Sequence, residues 1–447
     1  MENKINSLID RSYDCYDIKP NSYSSHNLKR GLRNQDGTGV LAGVTKVCQV
    51  HGYVMSEDEK TPIEGQLSYR GYDINDLTRT PGINNRFGFE EIAYLLLFGE
   101  LPTKDELIAF CKYLAHHREL PEYFAEDMIL KAPSRNIMNK MARSVLTLYS
   151  YDDNPDATDL QNVMHQSLVL LARMPLLAAY GYSAKVHHYD KKSLIMHNPK
   201  PELSTAENLL RMLSSNKKFT PLEAEVLDTA LMLHAEHGGG NNSTFTCRVL
   251  SSSGTDTYSA IGSAICSLKG PKHGGANAKV IGMMDNIQDN VSDWTNESQL
   301  YDYLIKIVKK EAYDKSGLIY GMGHAVYTLS DPRAVLLKEK ARKLCDEKGE
   351  MELFNMYDTI ERIAPKAFAE VKGVEKVMCA NVDLYSGLIY RMLKIPQEMF
   401  TPIFAIARTA GWCAHRMEEL KSGGKIIRPA YKTVIKKGRE YVNIDLR

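Results

Sequence analysis

The chain has 447 residues, 43% of them hydrophobic, which is enough to bury a large core and long enough for more than one lobe. Its 56 basic and 55 acidic residues nearly cancel. That excludes bulk attraction to nucleic acid or an anionic membrane, so an anionic ligand has to be held locally.

The N-terminal stretch "MENKINSLIDRSYDCYDIKP" has no apolar signal-peptide core and lacks the Arg-rich, acid-poor character of a transit peptide, so the protein reads as cytoplasmic. The first 38 residues are polar, tyrosine-rich and weakly periodic, an arm without a readable role. From "GVTKVCQVHGYV", alternation around Val44, Val47 and Val50 predicts one short hairpin within residues 44–70. After Gly71 the pattern turns helical. In "FEEIAYLLLFGELPT", Phe89, Ile92, Ala93 and Leu96 share one face, and Gly99 with Pro102 ends the helix.

The apolar run "SLVLLARMPLLAAYGY" from Ser167 is interrupted by Arg173 and Pro175 and is too short for a membrane span, which suits a buried, kinked helix. Residues 183–204 read as a loop in which His187, His188 and His197 are solvated. Thr220, Pro221 and Glu223 form a helix start, and that helix runs to about His234. The small side chains of "DTYSAIGSAICSLKG" predict a face for close helix packing, with a neighbouring subunit as one candidate partner. Five more helices are expected at "ESQLYDYLIKIVKKEAY", "RAVLLKEKARKLCDE", "ELFNMYDTIERIAPKAFAEV", "LYSGLIYRML" and "FAIARTAGWCAHRMEEL". The sum is a mainly α-helical protein with a small N-terminal β element. Eight scattered cysteines without a CxxC pair read as free thiols.

Three glycine-flanked clusters carry histidines: "LHAEHGGGNNST" at 233–244, "GPKHGGAN" at 270–277 and "GMGHAVYTLSDPR" at 321–333. "ANVDLYSG" at 380–387 adds a carboxylate at a helix start, and Arg408 and Arg428 follow. Taken singly, each has a structural explanation: a core histidine, an N-cap aspartate, a buried ion pair. Together they are the parts needed to hold a small polyanion and move protons on it.

These clusters, with "LSYRGYDINDL", "FGELPT" and "RP", resemble the citrate synthase family (Si-type) from about Gly43 to Arg428, with 2-methylcitrate synthase as the near relative. The resemblance implies condensation of acetyl-CoA with oxaloacetate and hydrolysis of citryl-CoA to citrate and CoA, a step of the tricarboxylic acid cycle. In a 2-methylcitrate synthase, propionyl-CoA would replace acetyl-CoA. The implied catalytic residues are His273 on the thioester oxygen, His324 on the ketone of oxaloacetate, and Asp383 as the base for the acyl methyl. His237, Arg333, Arg408 and Arg428 match the groups that hold oxaloacetate, Arg428 reaching in from a neighbouring subunit. Leu318, Ile319, Tyr320, Gly321, Met322 and Gly323 match the coenzyme A segment, and Lys372 and Lys376 are candidates for its phosphates.

The implied architecture is the citrate synthase fold. It has an arm at 1–43, a large helical domain at 44–273 and 391–447, and a smaller helical domain at 274–390 that closes over the substrates. A homodimer is implied, and no cofactor or metal beyond the acyl-CoA cosubstrate. A reading from another class is a metal-dependent hydrolase using His234, His237 and His273, although the chain has no HExxH. For His273, the expectation is a neutral imidazole near a helix start, with Gly274, Gly275 and Ala276 leaving room for the thioester.

Overall fold

The computed structural model describes residues 5–6, 23, 28–34, 37–56, 59–83, 86–373, 377–435 and 438–446. Contacts divide the chain into a terminal unit, Met1–Gly43 with Ile427–Arg447, and a main unit, Val44–Ile426. The described part of the terminal unit has 3-10 turns at Arg30–Leu32 and Ile444–Leu446 and an isolated bridge between Arg33 and Gly39. Most of the arm expected over the first 38 residues lies outside the described residues.

The main unit opens with the expected hairpin. Strand β1 (Cys48–Ser56) pairs antiparallel with β2 (Glu59–Tyr69), Cys48 facing Tyr69 and Val50 facing Leu67, with a bulge between His51 and Tyr53; β3 (Tyr72–Asp73) pairs with β2. Val47 is buried, but Val44 precedes the strand and is 91% exposed. Two glycines fix what lies on this hairpin. A Cβ at Gly65 would sit 2.2 Å from the Ser330 carbonyl oxygen, and one at Gly52 would sit 2.8 Å from that of Val326. Only glycine lets the loop that carries His324 lie against the strands.

Helices follow: α1 (Ile74–Ile83), α2 (Phe89–Phe98), α3 (Lys104–His116), α4 (Ile137–Leu148), α5 (Leu160–Tyr189), α6 (Thr205–Leu213) and α7 (Pro221–His234). In α2 the four apolar residues expected on one face are buried, and Gly99 caps the end in a left-handed conformation, φ 94°. Helix α7 begins as the sequence predicts: Thr220 and Glu223 form a reciprocal capping box and Pro221 takes the first turn.

Helix α5 (Leu160–Tyr189) bears out the expected buried helix and corrects its length and the loop expected after it: its 30 residues are long and apolar enough to cross a membrane by length and composition. It continues through Arg173 and Pro175 to Tyr189, and so takes the first part of the predicted 183–204 loop. Its most apolar window is 78% buried inside the protein, where packing against α4, α6 and α15 (Phe400–Lys421) outweighs the hydrogen bond lost at proline. His187 and His188 end this helix exposed, whereas His197 is half-buried with its Nε2 unpartnered.

The second half comprises α8 (Asn242–Ser252), α9 (Thr257–Leu268), α10 (Ala276–Asn290), α11 (Glu297–Val308), α12 (Pro332–Lys348), α13 (Met351–Lys372), α14 (Val382–Met392) and α15. The small face of α9 packs within the chain: a Cβ at Gly262 would meet Leu146 of α4 at 3.2 Å. Helix α15 runs through the core, contacting α2, α5, α7 and α8, and carries Trp412, Arg408 and Arg416 fully buried. The seven described cysteines are free thiols.

Candidate active site

His273 lies in the turn between α9 and α10, held by its amide to Gly270 O at 2.9 Å and by the Gly274 amide to Leu268 O at 2.9 Å. Its Nε2 accepts from the Ser243 amide at 3.3 Å and is 3.0 Å from Ser243 Oγ. An amide can only donate, so in the neutral ring the proton sits on Nδ1. Burial, with a smaller contribution from Arg408, lowers the pKa of His273 to about 4. The ring is neutral as the sequence suggests, but burial rather than the start of α10 is the main cause. The flanking glycines are also required by packing inside the turn itself. A Cβ at Gly274 would meet Leu268 O at 2.4 Å, and one at Gly275 would meet Pro271 Cα at 2.9 Å. They let the turn fold tightly on itself.

His237, His324 and Tyr327 form an aromatic group. The His237 and His324 rings meet edge-on at 5.2 Å, His324 stacks on Tyr327 at 4.8 Å, and His237 Nε2 is 3.3 Å from Tyr327 Oη. His324 Nδ1 accepts from the amides of Val326 at 3.1 Å and Tyr327 at 3.2 Å, which places the ring proton of the neutral form on Nε2. Burial, then the charge of Arg333, holds His237 well below the usual histidine range.

Arg333, in the first turn of α12, is buried and bonded on two sides to Asp331: Nε to Oδ1 at 3.0 Å and Nη2 to Oδ2 at 2.7 Å. Its Nη1 has no hydrogen bond among the described residues and remains as a donor. Arg408, on α15, has no exposed surface. Its Nε donates to His234 O at 2.7 Å, Phe404 lies 4.7 Å from the guanidinium carbon, and both Nη1 and Nη2 are buried without a partner. Leaving charged donors unpaired is costly unless a ligand acceptor completes them. The pair matches the two oxygens of a carboxylate.

A buried chain of charges lies beside it. Glu236 Oε1 accepts from the Gly238 amide at 2.6 Å and from His415 Nε2 at 2.9 Å, and His415 Nδ1 is 2.7 Å from Arg248 Nη2. Burial would raise Glu236, but His415, Arg408 and the Gly238 amide bring it below its ordinary value, so its negative charge offsets Arg408.

Asp383 lies in the first turn of α14, its amide bonded to the Asn381 side chain at 3.0 Å. Asn381 also joins two loops: its Nδ2 donates to Gly323 O at 2.9 Å and its amide to Gly321 O at 2.8 Å, while the Gly323 amide donates to Cys379 O at 2.7 Å. The segments carrying His324 and Asp383 are thus stitched together. Burial raises Asp383 to about 6; Arg333 opposes the shift and Asp331 adds to it.

The structure therefore brings His237, His273, His324, Arg333, Arg408 and Asp383 into one electrostatically coupled group. Among the coenzyme A candidates, Ile319 and Gly321 are buried, Tyr320, Met322 and Gly323 are half-buried, and Leu318 is 54% exposed. Arg428 belongs to the terminal unit, is exposed and has no hydrogen bond or ion pair among the described residues. Lys372 is exposed at the end of α13, and Lys376 lies outside the described residues. No group of three or more His, Cys, Asp or Glu side chains among the described residues is arranged to hold a metal ion. His234 is instead fully buried against Phe404 with both ring nitrogens unpartnered.

The sequence reading missed Ser243, Tyr327, Asp331, Asn381 and Glu236. All five sit inside the clusters it singled out, and closeness in sequence to a candidate histidine, arginine or aspartate was the only available signal.

Residues 35–430 match the family model described as citrate synthase, C-terminal domain. A citrate synthase of Haloferax volcanii is 35% identical over 428 residues, 95% of this chain and 100% of the relative. One of Corynebacterium glutamicum is 35% identical over 390 residues, 85% and 84% of the two chains. Among solved structures, citrate synthase from Pyrobaculum aerophilum superposes with TM-score 0.74 at 29% identity, covering 91% of this chain and 93% of that one. The Thermoplasma acidophilum citrate synthase, solved in ternary complex with carboxymethyl coenzyme A and oxaloacetate, gives TM-score 0.75 at 26% identity, covering 94% and 99%. The chain belongs to the citrate synthase family, and is accordingly an acyl-transferring enzyme.

Proposed function

We propose that the protein condenses acetyl-CoA with oxaloacetate and hydrolyses the resulting citryl-CoA to citrate and free CoA. The observation that carries this reading is Arg408, whose two buried, unpartnered Nη groups fit a substrate carboxylate. Arg333 Nη1 and neutral His237 supply further donors for the same dicarboxylate. The ternary complex solved for the Thermoplasma acidophilum relative contains oxaloacetate and a coenzyme A analogue, and supports the same substrates here.

Asp383 takes a proton from the acyl methyl while the Nδ1–H of His273 donates to the thioester oxygen, so the enolate never carries an isolated charge. The Nε2–H of His324 donates to the ketone oxygen of oxaloacetate. The nucleophilic methylene carbon then forms the new bond to the polarised ketone carbon. Water attacks the thioester carbonyl and the CoA thiolate leaves, taking up a proton. The alkoxide left by the condensation takes up a proton at the Nε2 edge of His324, and Asp383 returns its proton to solvent. The attacking water supplies the proton that the CoA thiolate takes up and the proton that the new carboxylic acid releases; no cofactor or metal is needed in this reading.

The working unit in this reading is a homodimer in which Arg428 completes the neighbouring subunit's oxaloacetate site. The domain at 274–390 closes on the remainder to exclude water. The test is release of CoA thiol from oxaloacetate with acetyl-CoA or propionyl-CoA. Faster release with acetyl-CoA is expected. Preference for propionyl-CoA would make the protein a 2-methylcitrate synthase, and no release with either would overturn the proposal.

A further inference from the structure

The segment between α11 and the coenzyme A candidates is held in an unusual backbone. Lys310 (φ 68°), Tyr313 (φ 54°) and Lys315 (φ 56°) are left-handed, as is Gly317 (φ 78°). Each of the three non-glycine residues costs roughly 1–2 kcal/mol in that conformation, so neighbouring contacts have to impose it.

Those contacts converge on Asp314. Its Oδ2 accepts from Tyr320 Oη at 2.7 Å and from Lys279 Nζ at 3.2 Å, and its Oδ1 accepts from the Ser316 amide at 3.1 Å. Tyr313 Oη donates to Lys279 O at 3.2 Å, and Lys279 Nζ lies 6.0 Å from the Tyr313 ring centre and 5.7 Å from that of Tyr320. The two rings meet edge-on at 6.0 Å. A Cβ at Gly282 of α10 would be 2.7 Å from Tyr313 Oη, so the tyrosine packs directly on the helix backbone. Burial pushes the Asp314 carboxyl up, but hydrogen bonds from Ser316, Tyr320 and Lys279 outweigh it and hold the group well below the usual carboxylate range.

Lys279 is on α10, which opens at Ala276 directly after the His273 turn. Tyr320 is inside the segment 318–323. We propose that Asp314, with Lys279, is a positioning clamp that locks the acyl-CoA segment to α10, so that the backbone gripping the coenzyme stays in register with the histidine polarising its thioester. The clamp rests on the assignment of 318–323 and His273 to acyl-CoA. Asp314 touches no substrate in this scheme and acts only through Tyr320, Lys279 and the loop backbone.

The test compares wild type with Asp314→Asn and Asp314→Glu by calorimetric titration with CoA and by steady-state kinetics in both substrates. For partly exposed charges, Asp314→Asn should raise the CoA Kd and the acyl-CoA KM about threefold to tenfold. The oxaloacetate KM and kcat should stay within about twofold, and Asp314→Glu should recover much of the CoA affinity. Lys279→Gln, which removes the cation but leaves the Asp314–Tyr320 bond, should shift the CoA Kd in the same direction and serves if Asp314→Asn does not fold. Unchanged CoA affinity in Asp314→Asn, or an equal rise in both KM values, would overturn the clamp. A wild-type protein that binds no CoA would instead remove the acyl-CoA assignment and the clamp with it.

Discussion

The Ser243 amide donates to His273 Nε2 across 3.3 Å, and this one bond decides which nitrogen of the neutral imidazole carries the proton. With Nε2 occupied as an acceptor, the proton resides on Nδ1. Nitrogen-15 spectra at pH 7, assigned by difference against His273→Gln, should show a protonated Nδ1 and an unprotonated Nε2. An imidazolium at that pH would contradict both the tautomer and the pKa of about 4 that burial imposes.

Asp383 has to be ionised to accept a proton, and its folded pKa is raised to about 6, chiefly by burial. The kcat/KM for acyl-CoA should therefore fall about tenfold per pH unit below about 6 and be flat above it. The stability effect has a definite sign. A carboxyl whose folded pKa exceeds its unfolded value destabilises the fold above the folded pKa, and the penalty fades as pH falls through both values. Asp383→Asn should thus raise Tm at pH 8 and lose that advantage near pH 4. A difference in Tm independent of pH would show that the shift is not electrostatic.

Arg408 presents two unpartnered Nη groups from a fully buried position, whereas lysine offers one ammonium and no fork. Arg408→Lys should weaken oxaloacetate binding by roughly 2–3 kcal/mol, about 30-fold to 150-fold, and change acyl-CoA affinity far less. An unchanged oxaloacetate KM would sink the carboxylate assignment.

At Gly274 an added methyl would meet the Leu268 carbonyl oxygen at 2.4 Å and Thr401 Cγ2 at 2.7 Å. The backbone cannot yield there without displacing His273. Gly274→Ala should lower kcat at least about tenfold and cost about 1–3 kcal/mol of stability. Full activity in this variant would show that the turn tolerates movement.

Legibility followed how local each determinant is. The limits of α7 could be read because the capping box, Thr220 to Glu223, and the N1 proline are neighbours in sequence. The end of α5 could not, because the polar stretch at 183–189 reads locally as loop, whereas the helix is held by its contacts with α4, α6 and α15. The histidines and arginines of the site were visible through their glycine-rich surroundings and their joint resemblance to one family. Their supporting partners were less accessible. Asp331 is two residues from Arg333, yet nothing in "DPR" says that it occupies Nε and Nη2 and leaves Nη1. Likewise the glycines around His273 were visible, but that they pack against Leu268 and Pro271 emerges only from the folded turn.

The most direct test is thiol release from acetyl-CoA and oxaloacetate by wild type and Asp383→Asn, with oxaloacetate binding in both checked by its effect on Tm. Loss of the base should reduce kcat by at least about a thousandfold while oxaloacetate still binds. A kcat within about tenfold of wild type would contradict the assignment of Asp383 as the proton acceptor, and with it the condensation scheme.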